Sequence, residues 1–126
     1  MSEPMQLRAL RGATTASANT VEAIGEAVAE LIDSLVLHNH LEGARVLSVT
    51  FSVTADLDAC FPAAIARRRD GWGAVALLDC QQMAVPGDLE RCIRLLVHAW
   101  LPAEREVAHA YLRDATRLRP DLVKES

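Results

Sequence analysis

Hydrophobic residues between positions 21 and 35 recur every three or four residues, which is the spacing of one face of an α-helix. They are Val21, Ile24, Val28, Leu31, Ile32 and Leu35. Asn19 and Glu22 stand three residues apart at the start of this run, the spacing of a capping box at a helix N-terminus. The pattern predicts an amphipathic helix that begins after Asn19 and ends near Leu37.

Alternation of apolar and polar residues predicts strands on both sides of this helix. Residues 5–11 alternate loosely, and Gly12 after them predicts a loop. The alternation is strict over residues 47–53, which predicts a strand with one polar face. The short apolar run at residues 74–78 predicts a buried strand.

The segment 89–100 fits both periods, because its apolar residues recur at helical spacing and also alternate as on one face of a strand. Periodicity alone slightly favours a helix. Pro62 and Pro102 each suit the first turn of a helix. They predict a short helix over residues 62–69 and a helical stretch over residues 102–113.

Length and composition indicate one folded domain. The chain has 126 residues, of which 51% are hydrophobic. That size matches a single core, and that apolar content excludes intrinsic disorder. We expect one domain over residues 1–126, in which residues 1–4 form a flexible extension and residues 122–126 a flexible tail.

The charge balance argues against a nucleic-acid partner. Thirteen Lys and Arg against 17 Asp and Glu give a net charge of −4, which repels polyanions. The first residues show no signal-peptide pattern, and the apolar stretches fall short of the ~20 residues that span a bilayer. The sequence therefore predicts a cytoplasmic protein with no membrane partner.

Residues that bind metals or act as nucleophiles form no known motif. Cys60, Cys80 and Cys92 are an odd number without paired spacing, which favours buried, unreactive thiols in a reducing compartment. His38 and His40 diverge on a helix, and the chain has no serine elbow or phosphate loop. We expect no metal and no cofactor.

Two arginines lie in apolar surroundings. Arg11 ends the first predicted strand, and Arg94 interrupts the apolar run at residues 92–97. Such a guanidinium either extends to water or binds an anion. The pair makes a dianionic small molecule a candidate ligand.

Several stretches, in order and almost without gaps from Leu7 to Leu122, resemble the monofunctional chorismate mutases of the Bacillus type. They are residues 8–15 (RALRGATT), 56–59 (DLDA), 61–63 (FPA), 92–94 (CIR), 111–112 (YL) and 118–121 (LRPD). The resemblance implies an α+β fold in which a mixed β-sheet packs against helices. It also implies a homotrimer, a pseudo-barrel with active sites at the subunit interfaces, and it makes the segment 89–100 largely a strand.

The same resemblance implies an activity, the conversion of chorismate to prephenate in phenylalanine and tyrosine biosynthesis. The reaction is a unimolecular pericyclic rearrangement, so it requires no covalent intermediate. The enzyme holds a compact conformer and stabilises charge on the breaking ether oxygen, tasks that suit arginine. A missing nucleophile is therefore expected.

Matching motif positions imply the site residues. Arg94 corresponds to the arginine that donates to the ether oxygen, and Arg11 and Tyr111 correspond to the pair that holds a carboxylate. The other substrate-binding positions are Phe61, Arg67, Leu78, Asp79, Cys80, Gln81, Gln82, Leu118 and Arg119. Taken alone, Tyr111 is more simply an ordinary half-buried tyrosine, and Arg67 is as readily a solvated member of a basic run.

Three positions depart from the family pattern. Ala64 stands where the family commonly has a lysine, Gln82 where it has the Glu that receives the substrate hydroxyl, and Asp79 where it has a cysteine. We expect Asp79, near Arg94, to accept the hydroxyl, with Gln82 as the alternative acceptor, and we count both as catalytic candidates. The second functional hypothesis is a trimer of the same fold that has lost turnover and binds an anionic metabolite as a sensor or interaction protein.

Overall fold

A five-stranded sheet organises the chain, which the computed structural model describes over residues 4–122. The strands are β1 (Met5–Thr15), β2 (Val46–Val53), β3 (Ala76–Gln81), β4 (Cys92–Pro102) and β5 (Ala110–Tyr111). The α-helices are α1 (Val21–Asn39) and α2 (Pro62–Arg67), and short 3-10 helices cover Gly43–Arg45, Arg113–Arg117 and Pro120–Leu122. Apart from Pro4 and Leu122, the ends that we expect to be flexible lie outside the described residues.

The sheet is mixed, with strand order β3-β2-β4-β1-β5. The central strand β4 pairs antiparallel with β1 and β2, whereas β3 and β5 join the outer sides in parallel. This arrangement confirms the α+β fold with a mixed sheet packed against helices.

The strand interpretation of the segment around β4 is confirmed, and the slight periodic preference for a helix is wrong. Leu95, Val97 and Ala99 alternate into the core, while Leu96 and Trp100 lie on the other face and are partly exposed. Because apolar residues occupy both faces, the segment also shows helical spacing. Hydrogen bonding to strands on both sides decides in favour of the strand.

β1 continues through Gly12, where the sequence predicts a loop. Its register with β4 is unbroken from Met5↔Pro102 to Thr15↔Cys92. A Cβ at Gly12 would lie 3.0 Å from Cδ1 of Leu95. The glycine therefore serves close packing inside the sheet and not a change of chain direction.

Helix α1 is confirmed, but its cap differs from the prediction. Thr20 is the N-cap, because its hydroxyl accepts a hydrogen bond from the amide of Ala23 at 3.0 Å. Asn19 instead accepts from the amides of Asp58 and Ala59 and so ties the start of α1 to the loop before α2. The capping-box interpretation of Asn19 is wrong, since that side chain serves a tertiary contact.

Three further boundaries differ from the sequence predictions. Helix α2 begins at Pro62 as predicted and ends at Arg67. The strand predicted at residues 74–78 is β3, which runs from Ala76 to Gln81, and its side chains are mostly exposed, so the expectation of a buried strand is wrong. The helical prediction for residues 102–113 is wrong, because Pro102 ends β4 and a turn and an extended segment follow it.

The two faces of the sheet differ in what covers them. One face packs against α1 and forms the core. The opposite face, which we call the open face, exposes apolar side chains in three strands. These are Leu7 in β1, Leu78 in β3, and Leu96 and Trp100 in β4. Within residues 4–122, no helix has the length and hydropathy that crossing a membrane requires.

Candidate functional site

A cleft of about 380 Å³ lies at the junction of β1, β4 and β5. Among the residues that line it are five of the predicted site residues, Arg11, Arg94, Tyr111, Leu118 and Arg119. We call this the arginine cleft. The structure thus brings together side chains that are up to 108 positions apart, from 11 to 119.

Strand pairing explains this grouping. In the β1–β4 ladder Arg94 is opposite Ala13, and Arg11 is opposite Leu96, so both arginines belong to the open face. Strand β5 pairs with β1 and sets Tyr111 beside Ala13. The period of two that marks a strand therefore aligns the cationic groups.

Arg94 has an acidic neighbour that sequence analysis missed. An Nη atom of Arg94 lies 3.2 Å from Oδ1 and 3.4 Å from Oδ2 of Asp88. The side chains are 38% exposed for Arg94 and 22% for Asp88. Partial burial strengthens such a charge-assisted contact, so Asp88 fixes the guanidinium at the end of the cleft.

Gln82 belongs to the same network. Its Nε2 donates to Oδ2 of Asp88, and its backbone amide donates to the carbonyl of Val53 at 2.8 Å, which extends the pairing of β2 and β3 by one residue. Gln82 is thus joined to Arg94 through one carboxylate.

A turn places Asp88, and the sequence carries its signal. Val85, Pro86, Gly87 and Asp88 close a turn in which the amide of Asp88 donates to the carbonyl of Val85 at 3.1 Å. Gly87 has φ of 86°, the conformation that the third residue of a type II turn requires, and proline suits the position before it. A Pro-Gly-Asp turn six residues before Arg94 could have identified Asp88.

His109 stands behind Arg11, and sequence analysis missed it as well. The backbone amide of Arg11 donates to Nδ1 of His109 at 2.9 Å. Burial lowers the pKa of His109, and the charges of Arg11 and Arg119 lower it further. The imidazole is therefore held neutral beside the cationic cleft.

Arg119 is oriented by its own acidic neighbour at the mouth of the cleft. Its guanidinium donates to Asp121 at 3.1 and 2.8 Å, and this hydrogen bonding lowers the pKa of the Asp121 carboxyl. Arg119 thus reaches the cleft as one half of an exposed ion pair.

A second cleft, of about 520 Å³, collects another group of predicted residues. Its lining includes Phe61, Asp79, Cys80 and Gln81 and is mostly apolar. The Phe61 side chain is 70% exposed. We call it the Phe61 cleft, and none of its lining residues is shared with the arginine cleft.

Asp79 does not lie on the same face as Arg94 of its own chain. It is opposite the fully buried Phe51, whereas Arg94 and Cys80 are both opposite Ser52 and so share the open face. Oδ1 of Asp79 accepts from the amide of Ala63, at the start of α2, at 3.0 Å.

The surroundings of Asp79 raise the pKa of its carboxyl. Burial raises the pKa of Asp79, and the hydrogen bond from Ala63 and the charge of Arg67 offset part of this rise. Arg67 itself is exposed at the end of α2, and Leu78 is exposed on the open face.

The cysteines differ in exposure. Cys92 is buried, where desolvation raises its pKa, and Cys60 is partly buried. Cys80 is exposed, so the expectation of buried thiols is wrong for it.

Comparison with known proteins gives one answer. A family model described as chorismate mutase type I matches residues 7–122. The chorismate mutase AroH of Bacillus subtilis (strain 168) is 37% identical over 120 residues, covering 94% of each chain. The chorismate mutase AroH of Thermus thermophilus is 43% identical over 120 residues, covering 92% of this chain and 96% of that protein.

A solved structure agrees with these matches. The chorismate mutase from Clostridium thermocellum superposes with a TM-score of 0.80 at 39% sequence identity, covering 87% of this chain and 98% of that one. The similarity therefore extends to the fold as a whole.

Proposed function

This chain belongs to the chorismate mutase type I family, and we propose that the arginine cleft is the part of the active site that one subunit supplies. The enzyme converts chorismate to prephenate by a pericyclic rearrangement. The observation that carries the proposal is that Arg11, Arg94 and Tyr111 line one cleft.

The chemistry fits this cleft because the rearrangement needs position and charge rather than a nucleophile. Arg94 donates to the ether oxygen, where negative charge develops as the bond breaks. Arg11 and Tyr111 hold a carboxylate of the substrate, with Leu118 as an apolar wall and Arg119 at the mouth. Such preorganised donors act on the transition state more strongly than on the substrate.

All of the remaining site residues except Gln82 contribute from a second subunit. A separate cleft is lined by Phe61, Asp79, Cys80 and Gln81. Phe61 is 70% exposed, and an exposed aromatic side chain of this size is typical of a surface that binds another protein chain. We assign these residues, with Leu78 and Arg67, to the wall that closes the arginine cleft of the neighbouring subunit. The exposed apolar residues of the open face support a homotrimer built on that face.

Replacement of Arg94 tests the assignment. Removing a preorganised donor to a developing oxyanion typically costs about 3 kcal/mol, so we expect Arg94→Ala to lose roughly two orders of magnitude in kcat. Arg94→Lys rescues poorly, because an ammonium lacks the planar fork. The measurement is chorismate loss together with prephenate appearance, without added metal or cofactor.

Near-parental turnover by Arg94→Ala contradicts the assignment of this cleft. The alternative hypothesis, that this chain binds an anionic metabolite without turnover, is not favoured, because its relatives are chorismate mutases. Such a protein would bind chorismate in the same assay and release no prephenate.

A further inference from the structure

We propose that Asp88 is a positioning residue for the rearrangement, which orients the Gln82 amide so that its Oε1 accepts the ring hydroxyl of the substrate. The proposal rests on the assignment of the arginine cleft. It concerns Gln82, which departs from the family pattern at the hydroxyl subsite, and Asp88, whose carboxylate accepts from it.

Asp88 is placed to control two groups at once. Oδ1 accepts from Arg94 and from the amide of Leu89, the latter at 2.8 Å, and Oδ2 accepts from Gln82 and from Arg94. Both oxygens are therefore occupied by donors. The carboxylate fixes the relative position of Gln82 and Arg94 and does not itself need to contact substrate.

The direction of the Gln82 amide follows from the chemistry of its partner. An ionised carboxylate can only accept hydrogen bonds, so Asp88 requires the NH₂ group of Gln82 to face it. The carbonyl Oε1 must then point away from Asp88. Asp88 thereby determines that the Oε1 end of the Gln82 amide, and not its NH₂ end, meets the substrate.

Two buried polar atoms of the network have no hydrogen-bond partner within residues 4–122. They are Oε1 of Gln82 and Nε of Arg94. Buried polar groups without partners are uncommon and cost about 1–3 kcal/mol each. One is an acceptor and the other a donor, and both are shielded from solvent in a single chain. Oε1 therefore meets the substrate only after the Gln82 side chain rotates with its NH₂ group kept on Asp88.

The charge of the site supports the same role. The resemblance to the family implies a carboxylate at position 82, and this chain has the neutral Gln82 there. Asp88 supplies one in contact with Gln82. A negative charge therefore lies beside Arg94 on Asp88, which orients Gln82, and not on Gln82 itself.

Asp79 is less well placed to accept the hydroxyl. Its Oδ1 already accepts a hydrogen bond from the amide of Ala63, at the start of α2, at 3.0 Å. That engagement favours Gln82 as the acceptor.

The test compares Asp88→Asn, Gln82→Glu and the double variant that exchanges the two groups. In Asp88→Asn, the asparagine oxygen can accept from Arg94 only if the asparagine NH₂ group faces Gln82. The Gln82 amide must then rotate so that its Oε1, and not its NH₂ group, meets the asparagine. We expect kcat to fall about 10- to 100-fold with KM little changed, since a misplacement of about 1 Å can cost about 100-fold. Glu90→Gln is the matched control, because it removes the same charge from an exposed residue two positions away.

Gln82→Glu places two carboxylates in contact, and like charges raise the pKa of one of them. Turnover of this variant is expected to fall at pH 7 and to rise as the pH falls, because a shared proton restores the hydrogen bond. The other titratable or charged groups around Asp88 are Arg94, Cys92, Asp56 and Glu90, and all are unchanged in this comparison. The parent enzyme should lack this rise.

The double variant Gln82→Glu with Asp88→Asn should recover most of the lost kcat at pH 7. The asparagine then donates to the new glutamate and accepts from Arg94, so the network is complete again. If a single variant lost turnover because it failed to fold, adding the second substitution would not restore it. Recovery therefore shows that the loss comes from the broken hydrogen-bond network.

The proposal is overturned if Asp88→Asn keeps kcat within about twofold of the parent, or if the double variant is no better than the weaker single variant. Failure of the cleft assignment has a different signature, namely Arg94→Ala with near-parental turnover.

Discussion

The backbone of Arg11 is hydrogen-bonded to a neutral histidine. Its amide donates to Nδ1 of His109, a residue 98 positions away, and that bond requires an unprotonated Nδ1. Arg119 faces the same imidazole, and Arg119 is itself paired with Asp121. Protonation of His109 would break the bond and add positive charge between two arginines.

The pH dependence of stability should report His109. The pKa of His109 is lowered in the folded state, so the unfolded chain binds the proton more tightly, and stability falls as the pH drops below about 6.5. We expect the urea midpoint to fall between pH 7 and 5. In His109→Gln this part of the loss disappears, because the amide oxygen accepts from Arg11 at every pH.

The control is His98→Gln, which removes a histidine from the open face. An unchanged pH slope in His109→Gln, with a lost slope in His98→Gln, contradicts the role of His109.

At the scale of elements, β3 and α2 depend on each other through Asp79. Its carboxylate accepts from an amide at the start of α2, where the helix dipole favours negative charge. Burial nevertheless outweighs this gain and raises the pKa of Asp79. The junction is therefore built with a carboxylate that is costly to ionise.

Asp79→Asn should keep this junction and remove its cost. A carboxyl with a raised pKa in the folded state binds its proton more tightly there, so parental stability falls as the pH rises above about 3.9. We expect the variant to match or exceed the parent in free energy of unfolding at pH 7, with the advantage shrinking toward pH 4. Chemical denaturation at matched protein concentration measures this.

Turnover of the same variant bears on the hydroxyl acceptor. If Asp79→Asn loses more kcat than Gln82→Ala, Asp79 is the acceptor after all. A smaller loss agrees with Gln82.

The element boundaries show what local patterns miss. Gly12 and Asn19 have familiar local meanings, a turn and a helix cap, yet both serve contacts made elsewhere. Pro102 likewise suits the start of a helix and instead ends β4. In each case a long-range contact decided between conformations that the local sequence allows.

At the scale of the whole molecule, the open face exposes large apolar side chains in three strands. Leu7, Leu78, Leu96 and Trp100 are 40 to 59% exposed on it. Monomeric proteins rarely expose such a patch, whereas obligate oligomers bury it. The two separate clefts, lined by five and by four of the predicted site residues, fit the same explanation.

Mixing two inactive variants tests shared sites. Arg94→Ala disables the arginine cleft, and Phe61→Asp disables the wall of the Phe61 cleft. When equal amounts are unfolded and refolded together, we expect about a quarter of the interfaces to combine the intact half of each chain. Turnover should therefore recover to about a quarter of the parental value in the same assay, and sedimentation should show a trimer.

The control mixes Arg94→Ala with a chain that carries both substitutions, which can restore no site. A monomeric mass in solution, or no recovery in verified mixed trimers, contradicts sites shared between subunits.

The sequence by itself determined the features that depend on local period and residue chemistry. It identified α1, β2 and the start of α2, and its matched motifs placed Arg11, Arg94 and Tyr111 in one site. A helix or strand pattern is written into neighbouring residues, because burial of one face repeats every 3.6 or two positions.

Only the tertiary structure decided which face each candidate occupies and what it contacts. Strand register put Asp79 and Arg94 of one chain on opposite faces of the sheet, and the turn at Gly87 brought Asp88 between Arg94 and Gln82. A shift of one residue in register reverses every side chain of a strand, and strand pairing is settled by contacts far apart in the chain. The local pattern therefore supplies the candidates, and the fold selects among them.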